Sequence, residues 1–156
     1  MADVVASRLQ RHAMARSRRR WSDVWIGATA LVAAMLALPL AQSSWHGPEM
    51  AAALAVSATA LLAGQRWAIA AVAIAELLLA PTVASRAFAG GVPLWPDQLA
   101  ALGALIAIVP GLLASKRAAA ALVIVTGARR TGAACRACHR GLVALGAIAV
   151  VLPLVF

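Results

Sequence analysis

Charge is scarce in this chain. Of its 156 residues only 12% are charged; acids number five, and Lys116 is the single lysine. Soluble domains carry roughly 25% charged and about 45–50% apolar residues. Here the apolar fraction is 63% and the mean hydropathy +0.89, which excludes an ordinary soluble enzyme. No polar low-complexity run is present, which excludes a disordered tail. Also missing are a Walker-type glycine loop, a nucleophile elbow, an H-E-x-x-H string and paired carboxylates. The chain therefore leans away from an enzyme.

What it has instead is long apolar runs. A bilayer core about 30 Å thick needs about 20 mostly apolar residues in a helix. Spans are expected at 24–42, 50–64, 67–84, 99–115 and 141–156. The last is short, so Arg136 and Arg140 are expected to snorkel to its end. Residues 118–128 reach only about 16 Å as a helix and cannot cross alone, so a half-length or interfacial helix is expected there. The expected fold is an all-α integral membrane protein with five transmembrane helices. A basic cytoplasmic segment, 1–23, precedes a single helical membrane domain, 24–156.

The basic residues set the orientation. With an inside N-terminus, residues 1–23, 65–66 and 116–140 face the cytoplasm and hold 13 of the 14 Lys and Arg; Arg86 falls outside. Extending 118–128 to about Ala134 as a sixth span would leave a 9-to-5 split and bury or strand an Arg pair at the far end of a helix. Lys/Arg asymmetry in short loops is the main determinant of orientation, so five spans are preferred, with the C-terminus periplasmic. The net charge of +9 is then an orientation signal, and nucleic-acid binding has no residual support. Arg16, Arg18, Arg19, Arg20, Lys116, Arg117, Arg129 and Arg130 are assigned to topology and to contacts with anionic lipid. Trp21, Trp25 and Trp67 inside, with Trp45 and Trp95 outside, form aromatic belts. The run SRRRW before the first span looks like a targeting signal, but that span is long and no clean small-x-small site follows. It reads as a retained first helix. Alanine supplies about a quarter of the chain and arginine nearly replaces lysine, which suits a GC-rich bacterial genome and hence a bacterial inner membrane.

Glu76 is the one ionisable side chain well inside an expected span. Nine residues beyond Trp67, it lies about 13 Å deep in helical rise. A charge there costs at least about 2.5–3.5 kcal/mol, so the side chain should face other helices. The tight turn at 64–66 folds spans two and three into a hairpin, setting Leu54 and Ala55 opposite Glu76 with Ser57 within a turn. Two readings stand: a proton or cation site, or a neutral acid hydrogen-bonded to a backbone carbonyl, Ser57 or a partner subunit.

Cys135-Arg136-Ala137-Cys138-His139 resembles the C-x-x-C-H pattern of c-type haem attachment, a likeness of five residues. In that pattern the thiols bond to the haem vinyls and the histidine is an axial ligand. Attachment takes place on the outer face, whereas the charge rule puts residues 129–140 inside. For a cytoplasmic site the alternatives are a redox-active dithiol among arginines, a zinc site with Cys135, Cys138 and His139 as three ligands and His12 or another group as the fourth, or two reduced thiols without a cofactor.

The outer loop 85–98 carries Phe88, Val92, Leu94 and Trp95 and is expected to pack back into the headgroup region. Small residues at helical spacing, such as Ala51, Ala55 and Ala58, or Gly103 and Ala107, indicate close helix packing, within the chain or between chains. The expected role is a small accessory or structural subunit of a larger membrane protein complex, its partners being the bilayer and other subunits or copies of itself. The rivals are a small ion- or proton-coupled transporter or channel-forming oligomer using Glu76, and an electron-transfer or thiol-redox subunit using the Cys-x-x-Cys-His motif. Five spans require Cys135 and Cys138 to resist a membrane-impermeant maleimide on intact spheroplasts and to react only after permeabilisation; labelling before permeabilisation would refute that topology.

Overall fold

The computed structural model describes residues 2–42, 46–88, 95–127 and 131–155, the side chains of 2–20, 41, 95 and 149–155 excepted. Alanine and leucine are among the strongest helix formers, and in an apolar medium a helix satisfies its own backbone polar groups. Among the described residues there are six helices and no strand: α1 (Ala2–Ala41), α2 (Gly47–Leu62), α3 (Ala68–Ala87), α4 (Trp95–Leu113), α5 (Ser115–Val125) and α6 (Gly132–Val155). Among the described residues three stretches are long and apolar enough to cross a membrane: Trp21–Leu40, Ala68–Ala87 and Pro96–Leu113. Helix α2 is apolar but has only 16 residues. The last expected span falls in α6, where the side chains of 149–155 lie outside the described ones.

Local chemistry explains the boundaries. Helix α1 is 40 residues without interruption, so the basic segment and the first apolar run form one rod about 60 Å long. Helix α2 ends in a Schellman motif. Gly64 has φ +89°, its N–H donates to the Leu61 carbonyl (2.9 Å), and Gln65 N–H donates to the Ala60 carbonyl (3.0 Å). Pro110, inside α4, has no N–H to give, and four residues later the Ala114 N–H is shared between the Pro110 (3.2 Å) and Gly111 (3.0 Å) carbonyls. There the helix breaks, and α5 starts at Ser115, ahead of the expected 118. Gly127, at φ +69°, closes α5. Thr131 caps α6 by accepting the Ala134 N–H on its hydroxyl (3.2 Å).

Helices α1 to α4 form a bundle in which α1 and α3 each pack on both α2 and α4. Small residues set the spacing: Ala30, Ala33, Ala37, Ala58, Ala101 and Ala104 are fully buried. A Cβ added to Gly27 would stand 2.9 Å from Leu62 Cγ and 3.3 Å from the Ala58 carbonyl oxygen, so α1 and α2 nearly touch there. Helices α5 and α6 pack on each other and on α3, around a second cluster of Ala73, Ala118, Ala119 and Leu142. A Cβ on Gly146 would stand 2.8 Å from Leu77 Cδ2. Leu142 beside Ala73 and Gly146 beside Leu77 are equal steps along both helices, so α6 runs parallel to α3. Outward faces are apolar, with Ile106 72%, Met35 70% and Val56 69% exposed, as suits contact with lipid.

One end of the bundle is basic. Arg117, at the start of α5, donates to the Ser22 hydroxyl (2.9 Å) and to the Asp23 carboxylate of α1. Both residues of this ion pair are half-buried. Asp23, Arg66 and Arg117 share a pocket of about 130 Å³ with Ile69, Ala121 and Ile124.

Replacing fully buried Ala33 by Leu should destabilise the bundle by about 1–3 kcal/mol through overpacking. Ala28→Leu, on the exposed face of the same helix, should stay within about 0.5 kcal/mol. Thermal unfolding of the two variants in one detergent would compare them.

Candidate functional site

Glu76 stands midway along α3 and is fully buried; Ser57 is the other buried polar residue among the described ones. Apolar neighbours on its own helix, Ala73, Leu79 and Ala80, are buried with it. Neither carboxyl oxygen has a hydrogen-bond partner. Ser57, expected as a partner, donates its hydroxyl to the Ala53 carbonyl of its own helix at 2.7 Å. A buried polar group left without a bond costs roughly 1–3 kcal/mol. Alanine or leucine, which fill most of this core, would not incur that cost.

The group facing the carboxyl comes from α4. A Cβ built on Gly111 would overlap Cδ and Oε2 of Glu76, so the acid rests directly on the Gly111 backbone. Any larger residue at 111 would displace it. Spans two and three were expected to enclose Glu76, with Leu54 and Ala55 opposite; the fold adds α4 and its notch. The signal was present in the sequence: Pro110, the proline deep inside a span, is followed at once by the residue with no side chain.

The Cys-x-x-Cys-His motif lies in helix, where a loop between helices was expected. Thr131 and the alanines that follow start α6 at Gly132, ahead of residue 141. Cys135, Cys138 and His139 therefore lie on its first two turns, all half-buried, with both thiols free. His139 Nδ1 is buried and has no partner. Among the described residues no three of His, Cys, Asp and Glu come close enough together to hold a metal ion, so a zinc site at this motif would need ligands brought from elsewhere. Of the residues assigned to anionic lipid, Lys116 is exposed, while Arg117 turns inward onto Asp23 and Ser22. The side chains of Arg16, Arg18, Arg19 and Arg20, the pair Arg129–Arg130, and the middle of the loop at 85–98 lie outside the described residues.

A further feature escaped the sequence. A pocket of about 460 Å³ opens between α3, the α4–α5 joint and α6, lined by Ala73, Leu77, Ala80, Leu112, Leu142 and Gly146 among others. Its lining is almost wholly apolar. It exists because α6 is set against α3 through small residues, a spacing that hydropathy does not report.

No family model matches the chain, and no curated protein or solved structure shows significant similarity to it.

If Glu76 rests on Gly111, Gly111→Ala should cost about 1–3 kcal/mol in the native background. In a Glu76→Ala background it should cost less, with a coupling of about 0.5–3 kcal/mol. Unfolding of the four proteins in a double-mutant cycle measures it; additive losses would separate the two residues.

Proposed function

We propose that this chain is a small five-span subunit, accessory or structural, of a larger membrane protein complex in a bacterial inner membrane. Its N-terminus and its basic end lie in the cytoplasm, and its C-terminus in the periplasm. The observation that supports this reading is the placement of α6. Among the described residues that helix packs on α3 and α5 alone, and of its described side chains only Leu142 is buried. Val143, which lines the open apolar pocket, and Leu145 and Ile148, which lie outside its lining, stand 52–60% exposed. A helix held on one side, next to a cleft of small residues, fits a neighbouring transmembrane helix by van der Waals contact. The described loops between helices are short, which leaves little mass for a chemistry outside the bilayer. Glu76, fully buried and unpartnered, favours a second reading, in which copies of the chain form a small proton-coupled transporter.

A photo-crosslinker at Leu145, irradiated in native membranes, should give one discrete protein adduct. The same probe at Met35, on the exposed face of α1, should give none. Adducts with lipid alone at both positions would refute the subunit reading.

A further inference from the structure

The feature least explained by packing is the contact between Glu76 and Gly111. Fully buried and lacking a partner at either oxygen, this acid contributes no hydrogen bond to the fold. A carboxylic acid kept for structure would give its O–H to an acceptor. The nearby hydroxyl, Ser57, is committed to Ala53, and the backbone facing the acid belongs to Gly111. That backbone lies at the weakest point of α4, between Pro110, which removes one helical bond, and the shared Ala114 N–H that ends the helix.

The site is also close to open space. Ala73, Leu77 and Ala80, which line the 460 Å³ pocket, stand at i−3, i+1 and i+4 from Glu76, and Leu112 follows Gly111 in the same wall. The carboxyl thus lies one side chain behind that wall. Leu77 and, at the α4–α5 joint, Leu112 and Ser115 form part of that wall.

What such a site binds follows from its donors. A metal cation needs several oxygen ligands. Glu76 brings two, and among the described residues no cluster of His, Cys, Asp and Glu supplies more. A proton needs one.

We propose that the Glu76 carboxyl, seated on Gly111, is a reversible proton-binding site inside the bundle, and not a fixed structural acid. This does not rest on the subunit role; either can fail alone. Binding is a simple exchange: the carboxylate oxygen accepts a proton as the site opens to water and returns it by the same bond. The ionisable groups on the surrounding elements are otherwise placed. Asp23 of α1 pairs with Arg117 of α5, and Glu49 of α2 pairs with His46. Asp97 of α4, Lys116 of α5, and Arg136 and Arg140 of α6 are exposed, as is Arg86 at the far end of α3. On α6, Cys135 and Cys138 are half-buried, and so is His139. From the α3–α6 register, His139 lies about 9 Å of helical rise from the level of Glu76, toward the basic end.

Infrared difference spectroscopy of the full chain in lipid vesicles tests the proposal. At neutral pH the wild type should show a neutral-acid carbonyl band that is missing from Glu76→Gln, while both proteins melt alike. Raising the pH should remove the band about tenfold per pH unit beyond its midpoint, and returning to neutral should restore it. In D₂O the band should shift without unfolding. A band that persists unchanged until the helices unfold would make Glu76 a fixed structural acid. Absence of any band sensitive to Glu76→Gln at neutral pH would mean a permanently ionised group. Either result overturns the proposal.

Discussion

The close approach of helix backbones governs this molecule. In lipid no hydrophobic force draws apolar helices together, so attraction comes from dispersion between surfaces that fit. Alanine and glycine make that fit possible along α1 to α4, at Ala30, Ala33, Ala58, Ala104 and Gly27 among others. Tight spacing leaves no slack for bulk. The one large polar residue buried among the described ones, Glu76, is accommodated because Gly111 opposite it has no side chain. The same principle, used more loosely, produces the cleft beside α6, where Ala73, Ala80 and Gly146 face one another across an open gap.

The α4–α5 joint is where several constraints meet. Pro110 weakens the backbone ladder, Gly111 seats the acid, and Arg117 at the start of α5 anchors the next helix to Asp23 and Ser22. A longer straight helix would carry Arg117 away from α1. The break redirects the chain so that α5, too short to cross a bilayer, lies along α3 and provides a base for α6. The half-length segment is therefore part of the packing and not a failed span.

Much of this was legible in the sequence, because hydropathy reads helices directly when the runs are uncharged. The expected spans at 67–84 and 99–115 correspond to α3 and α4, and the half-length helix appears as α5, three residues early. The start of α6 was misplaced because Arg136, His139 and Arg140 lower hydropathy without opposing helix formation. Thr131 and the alanines after it were the better guide. The depth of Glu76 was visible from its distance to Trp67. Its true neighbour was not, because hairpin geometry addresses only adjacent helices, and Gly111 belongs to the next one along. Ser57 drew attention as the nearby hydroxyl, but a serine inside a helix has its own carbonyl four residues back within reach.

The bond between Arg117 and Asp23 joins residues 94 apart in the chain. A chain made from its N-terminus already contains α1, α2, α3 and α4 before the guanidinium exists to neutralise that aspartate. Asp23 thus waits at the rim of the first helix through most of synthesis, held near water until its cation arrives. That ion pair can form only after four helices have been made, whereas the contacts of α1 with α2 join helices that follow one another in the chain.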